Sequence, residues 1–371
     1  TSTISRQFED VGYSVVKFDQ FSDIYVINTC SVTENADKQF KSYVSKALKL
    51  NPEAFLIAIG CSDDLDVEAI QEEGSTPFIL PDVHDPSQLV RVDNRLYFFA
   101  SAVEWWTYNL GQKCPWVFGE SDMFDPNPPA WYNGADNYWA PSFTDLGNGT
   151  YRMYHSAVED EDTHSSKIGF VDITNASNGD PEFVLGDNFV LSSSKLEDAF
   201  AIDPAVYLDK MGQLRMVYGS HGAGIYTVKL DKSTGHLADN PSDKAFELSD
   251  SRFVHLANYG GDLDENNIEA AYIYNHLENA YYYLFVNWDI CCSGINSTYN
   301  IRVGRSTDPE GPFLDRDGND MADGYGSLFM DAGGVNVANS RIVGPGHSGI
   351  YQHSDGLFYF SHHFIIQVQQ T

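Results

Sequence analysis

One pattern recurs five times along the second part of the chain: a head residue, a short apolar strand, a turn, then an aromatic-rich strand ending in small or polar residues. The copies are DPSQLVRVDNRLYFFAS from Asp85, APSFTDLGNGTYRMYHS from Ala140, DPAVYLDKMGQLRMVYGS from Asp203, EAAYIYNHLENAYYYLFVN from Glu269 and HSGIYQHSDGLFYFSHH from His347. Counted from each head, a turn residue falls nine or ten places on, at Asn94, Gly149, Gly212, Asn279 and Gly356. Successive heads are 55, 63, 66 and 78 residues apart, which leaves each unit room for further strands and insertions. Small antiparallel sheets repeated in this way protect their edges by radial closure. Residues 80–371 are therefore expected to be mainly β, as a five-bladed β-propeller. The fifth copy stops near the end of the sequence, which predicts an incomplete last blade with an exposed edge.

Radial closure carries equivalent positions of every blade to one axis. It predicts that Asp85, Asp203, Glu269 and His347 meet at a channel mouth, although Asp85 and Glu269 are 184 positions apart. Carboxylates crowded into one narrow cavity disfavour each other's charge, so such a cluster implies catalysis, a bound cation or both. Cleavage of a glycosidic bond needs this equipment: an acid for the leaving oxygen and a second carboxylate acting opposite it. Heads on different blades suit the wider separation of an inverting pair, with a water between base and sugar. A third carboxylate would raise the acid's pKa by like-charge repulsion. Asp85 and Asp203 precede proline, which favours an extended backbone at each. Glu269 has the longer reach that suits an acid.

Charge divides the chain. Residues 1–61 hold six Lys/Arg against seven Asp/Glu, whereas the remainder holds sixteen against forty-six of a total net charge of -31. We accordingly expect a small module over 1–61, a linker over 62–79 and the propeller over 80–371. The acidity argues against nucleic acid as a partner, while a neutral polysaccharide or oligosaccharide meets no such repulsion. No run of about 18 apolar residues is present, so no membrane span is expected. The first residues lack the basic start and apolar stretch of a signal peptide. A monomer is expected. Five cysteines, Cys30, Cys61, Cys114, Cys291 and Cys292, define no disulfide framework. The neighbours Cys291 and Cys292 read as packed thiols, because no further Cys or His has ligand spacing nearby.

In residues 1–61, Tyr13–Phe18, Asp23–Asn28 and Ala54–Ile59 read as short strands. Glu34–Leu50 has helical spacing through Phe40, Val44, Ala47 and Leu48. This predicts a small α/β module preceding the propeller. The stretches DIYVINTCSVTENADKQ and NPEAFLIAIGC resemble the N-terminal domain of radical-SAM methylthiotransferases, where thiolates hold an auxiliary iron–sulfur cluster. Cys30 and Cys61 match two ligand positions of that family. A third match and the family's CxxxCxxC motif are lacking, so no iron–sulfur cluster is expected.

The larger part resembles glycoside hydrolase family 43, and its arabinanase branch most. The resemblance rests on HDPS at His84–Ser87, AIDPAVY at Ala201–Tyr207, IEAAYIY at Ile268–Tyr274, YWAPSF at Tyr138–Phe143 and GPGHSGIY ending at Tyr351. The run from Tyr281 to Met321 adds to it. Ser142 stands where that family usually has Asp. The resemblance implies Asp85 as general base, Asp203 as pKa modulator and Glu269 as general acid of an inverting endo-arabinanase acting on α-1,5-L-arabinan. It also implies a central calcium ion near His347 and work outside the cell, extracellular or periplasmic. An exo-acting α-L-arabinofuranosidase or β-xylosidase of the same family, or a weakly catalytic glycan-binding propeller, stays open as an alternative. Trp105, Trp106 and Trp139 are candidates for stacking on sugar faces, against packing between blades. Arg302 and Arg305 are candidates for orienting Glu269 or a substrate hydroxyl, against ordinary strand ion pairs. DRDGND at Asp315–Asp320 resembles a calcium loop, but lacks glycine sixth and glutamate twelfth and reads as a turn.

Overall fold

The structure, a computed structural model, describes the chain except for residues 1–16, 23, 29–41, 44, 48, 52–54, 60–82, 102–103, 110–116, 120–129, 133–136, 148, 179–180, 240–243, 262–265, 277–278, 333–341, 353–357 and 367–371. It divides into two compact units, one comprising Thr1–Asp82, Trp106–Phe118 and Gln369–Thr371, the other Val83–Trp105 and Gly119–Val368. In the first, β1 (Ile24–Asn28) and β2 (Phe55–Ile59) pair in parallel, with Ile24 opposite Phe55. A parallel pair needs a crossover connection. Residues 42–50 are helical wherever they are described. The expected strand Tyr13–Phe18 falls outside the described residues but for its last two, and Phe18 is in a turn. Cys30, Cys61 and Cys114 also lie outside them.

The second unit is mainly β, with its sheets following one another in chain order. The first sheet opens with the antiparallel pair β3 (Val90–Val92) and β4 (Arg95–Ala100); β5 (Glu104–Asn109) and β6 (Val117–Gly119) fall mostly in the first unit. The second contains β7 (Asn137–Gly147), β8 (Thr150–Asp160), β9 (Ser165–Thr174), β10 (Glu182–Leu185) and β11 (Leu191–Ser193). The third takes β12 (Ala205–Leu208), β13 (Leu214–Tyr218) and β14 (Ile225–Leu230). The short β15 (Lys244–Ala245) then returns to pair with β11, and β16 (Val254–Ala257) completes the third sheet. β17 (Ile268–Asn275), β18 (Tyr282–Trp288), β19 (Asn300–Ser306) and β20 (Ser327–Met330) are the fourth. β21 (Ile342–Gln352) and β22 (Phe358–Ile366) are an antiparallel pair. This is a propeller arrangement of four sheets and a final pair.

The core lies between neighbouring sheets. Tyr97 and Phe99 of the first pack with Phe143 and Met153 of the second. Tyr154 and Ile168 of the second pack with Leu214 and Tyr218 of the third, and Ile225 of the third with Leu284 and Ile301 of the fourth. Tyr97, Tyr154 and Tyr218 are fully buried, and each such ring stabilises the fold by roughly 2–3 kcal/mol. Aromatic-rich second strands thus fill the gaps between sheets.

Each repeat opens on the same backbone device. Asp85, Ala140, Asp203, Ala270 and His347 all have a left-handed backbone, with φ of 49°, 45°, 55°, 50° and 56°. In β7, β17 and β21 the ladder shifts register across this residue, so that three steps on one strand oppose two on the other. Backbone bonds on either side of Asp85 and Asp203 show the same count: Ser101 N–H to His84 O and Ser87 N–H to Phe99 O, then Gly219 N–H to Ile202 O with Ala205 opposite Val217. A bulge of one residue re-aims side chains at the start of a strand. It also corrects the sequence phase: the fourth head is Ala270, and Glu269 is the residue before it. With that shift every turn residue falls nine positions after its head.

Candidate active site

The bulges gather Asp85, Asp203 and Glu269 into one buried cluster. Asp85 accepts a hydrogen bond from the Ser101 hydroxyl at 2.7 Å. Its carboxylate lies 3.5 Å from Nδ1 of both His347 and His363, and 3.4 Å from His84 Nε2. Burial pushes this carboxyl up, but His347, His84, His363 and Ser101 together hold it below the ordinary value. The charged His84 and the Ser101 hydroxyl favour an ionised Asp85, while burial holds His347 and His363 below the usual imidazole range.

Asp203 has the opposite environment. It is 7 % exposed, and burial followed by the negative charges of Glu269 and Asp85 raises it well above the usual range. Its Oδ2 accepts the backbone N–H of Ala270 at 2.9 Å, which ties it to the strand carrying Glu269. Glu269 is raised too, by burial first. His221, the Ser220 hydroxyl and Tyr299 offset part of the rise, and Asp85 adds to it. Ser220 donates to Glu269 Oε2 at 2.9 Å, and His221 Nε2 is 3.7 Å away. Both carboxyls resist ionisation, so the site retains a proton that can be delivered.

The residues missed in the sequence form the ring that holds these groups. The Ser101 hydroxyl accepts the N–H of Ala140 at 3.0 Å, and that of Ser156 accepts Asp203 N–H at 3.1 Å. Asn287 Oδ1 accepts His347 N–H at 3.2 Å, and His363 Nδ1 accepts Asp85 N–H at 3.1 Å. Four second strands thus fix the head of the next repeat, the last fixing the first, whereas Ser220 holds the Glu269 side chain and the fourth head, Ala270, donates its N–H to Asp203. These are the polar residues that end each repeat in the sequence; their common place was the available signal. Tyr299 carries no repeat signal. Its ring fills the space above Gly346, where an added Cβ would stand 2.2 Å from Tyr299 Cε1.

Other expected site residues lie elsewhere. Trp105 is 6 % exposed and packs on Tyr97, so it is core and not a sugar platform. Trp106 is partly buried on β5. Trp139 packs against Val158, Phe200 and Ile202. Arg305 stacks over Tyr281 at 4.5 Å, and Arg302 over Trp288 at 4.8 Å while donating to Asn300; the positions assign neither to Glu269. Asp315 accepts the N–H groups of Asp317 and Asn319, as a turn residue does.

Two expectations about metal and thiols meet different chemistry. His347 is buried beside Asp85 as expected, but the groups around it are imidazoles with one carboxylate, whereas calcium takes six to eight oxygens. This donor set fits a resident calcium poorly. Cys291 and Cys292 are not packed thiols: the first is partly exposed and the second exposed, and His84 Nε2 lies 3.6 Å from Cys292 Sγ. The partner was invisible in the spacing because it is 208 positions away. His84 is pushed up to about 9, foremost by its hydrogen bond to Cys292. The Cys292 thiol is pulled down to about 5 by bonds from Cys291 and His84.

Residues 75–367 match the sequence profile of Glycosyl hydrolases family 43. The chain belongs to that family. Residues 1–80 match a second profile, described as Uncharacterized protein family UPF0004. Among relatives of this family 43 chain, the extracellular endo-α-(1→5)-L-arabinanase 1 of Bacillus subtilis is 34% identical over 59% of the chain and 61% of that protein. The chain therefore spans less than two thirds of that relative. The extracellular exo-α-(1→5)-L-arabinofuranosidase ArbA of Cellvibrio japonicus is 30% identical over 73% of the chain and 75% of its own length. Solved family structures overlay well. An exo-1,5-α-L-arabinanase from a bovine ruminal metagenomic library gives a TM-score of 0.63 at 33% identity, covering 77% of this chain and 89% of that one. The Cellvibrio cellulosa α-L-arabinanase complexed with arabinohexaose gives 0.61 at 28%, covering 77% and 88%.

Proposed function

We propose that the chain is an inverting endo-α-1,5-L-arabinanase built on a five-bladed propeller, with β21 and β22 as the inner strands of the fifth blade. The observation that carries the reading is the opposed tuning of the carboxyls. Asp85 is held down by its His84 and Ser101 neighbours, while Asp203 is pushed up by burial and the charges of Glu269 and Asp85, and Glu269 by burial and the charge of Asp85. In the reaction, Glu269 donates its proton to the leaving glycosidic oxygen as the bond to the anomeric carbon breaks. A water on the opposite face attacks that carbon and gives its proton to Asp85, so the configuration inverts. Asp203 modulates the acid by its place, orienting the strand of Glu269 through the Ala270 N–H that it accepts. No step runs through a metal ion.

The arabinan substrate is supported by relatives whose names specify α-(1→5)-L-arabinan linkages and by a neighbour complexed with arabinohexaose. Both named relatives are extracellular, which supports work outside the cell. No helix among the described residues is long and apolar enough to cross a membrane. Exo action is a second reading, favoured by the exo-acting relative and neighbour.

The acid's role is tested with Glu269→Ala on two substrates. Hydrolysis of linear arabinan should fall by about 100-fold to 10,000-fold, the range of a lost general acid. An aryl arabinofuranoside with a strongly acidic phenol leaves without protonation and should lose far less. Equal losses on both would show that Glu269 is not the acid.

A further inference from the structure

We infer that His84, Cys291 and Cys292 form a binding site for a thiophilic divalent cation at the rim of the carboxylate cluster, and that filling it silences Asp85. The two cysteines follow β18, in the loop that leads to β19. Successive side chains of an extended chain point to opposite sides. Here Asp289, Cys292 and Gly294 adopt left-handed backbones, with φ of 73°, 56° and 55°, and the two sulfurs lie on the same side of the loop, in contact. A left-handed backbone at a residue with a side chain is strained. The loop spends that strain on bringing two thiols to one spot.

His84 completes the cluster. Its Nε2 lies 3.6 Å from Cys292 Sγ, and all three donor atoms lie within 4.8 Å of one another. Two sulfurs and one imidazole nitrogen are the donor set of zinc-like ions and fit neither calcium nor magnesium. The site is open to solvent, since Cys292 is exposed and the His84 side chain is half exposed. Neither thiol has a part in glycosidic cleavage.

Occupancy acts on the reaction through His84. The nitrogen that would ligate the cation is the one facing Asp85 Oδ2 at 3.4 Å. A cation bound at Nε2 would send any proton there to solvent and would stand beside Asp85 Oδ2, offering the carboxylate a fourth ligand position. A carboxylate drawn onto a cation no longer accepts a proton from water.

The test uses the reduced full-length chain with cobalt as the probe. One equivalent of Co²⁺ should produce thiolate-to-cobalt absorption in the near ultraviolet. That band should vanish in Cys291→Ser/Cys292→Ser and be displaced by Zn²⁺. This readout stands whether or not the chain cleaves arabinan. In the hydrolysis assay Zn²⁺ should slow the parent roughly 100-fold, the scale of losing a general base, with recovery on EDTA. The double serine variant, shown by thermal melting to be folded, should have a rate that Zn²⁺ does not change. Absence of the band in the reduced parent, its persistence in the variant, or equal Zn²⁺ inhibition of both proteins would overturn the site.

Discussion

At the scale of single residues, the same carboxyl group acquires three characters from its neighbours. Asp85 is lowered, Asp203 and Glu269 are raised, and these directions set the pH dependence. As pH falls through the lowered Asp85 value, the base is protonated and the rate falls. As pH rises through the raised values of the Asp203–Glu269 pair, the deliverable proton is lost and the rate falls again. The profile of kcat/KM should be a bell whose acid limb lies below the ordinary carboxylate range and whose alkaline limb lies above it. Stability carries the matching sign. Asp203's folded pKa is raised above its unfolded value, so the stability it contributes is present at low pH and lost as pH rises through the folded value. Asp203→Asn should therefore raise the Tm at pH 7 by roughly 1–2 °C, about 1 kcal/mol, while activity falls. A lower Tm would show that Asp203 is held mainly by favourable contacts. The identities of Asp85, Asp203 and Glu269 were legible in the sequence, because repeat phase and a family resemblance converge on them. Burial of Trp105 and the stacking of Arg305 on Tyr281 were not, since both depend on which face of a strand meets a neighbour.

Among the elements, the head bulge explains what the repeat alone misplaced. Sequence phase put Glu269 at the fourth head because it looked for a carboxylate; the backbone puts Ala270 there. Turn spacing already held the correction, since the fourth turn residue was the only one ten places on. Polar residues closing each second strand were visible as a class, but their bonds to the next head needed the ring. A different network joins the third and fourth sheets. Asp209 Oδ1 accepts the N–H groups of Met211 and Gln213 in the β12–β13 turn, and its Oδ2 accepts Arg215 Nε at 2.8 Å. Arg215 also reaches Glu310 at 2.9 Å, just after β19. Both Asp209 and Arg215 are buried. Removing one partner of a buried pair strands the other's charge, so Asp209→Ala should cost about 3 kcal/mol in chemical denaturation. The folded fraction should keep its activity, because this network touches none of the three carboxylates.

For the molecule as a whole, closure is the decisive event, and His363 on Asp85 N–H joins the last described pair of strands to the first repeat. The propeller class could be read from five copies of one pattern. The number of strands in the second sheet could not, because β10, β11 and β15 belong to insertions that follow no repeat. A net charge of -31 on a molecule this size repels itself. Added salt screens that repulsion and should raise the Tm, while kcat/KM on neutral arabinan should change little. A strong salt effect on kcat/KM alone would point to a charged substrate. The central claim is the cleavage itself, and it is tested most directly by the products released from linear α-1,5-arabinan over time. A spread of short arabino-oligosaccharides appearing before arabinose, and absent with Glu269→Ala, is the predicted result. A folded parent chain that releases no sugar from arabinan would contradict the account.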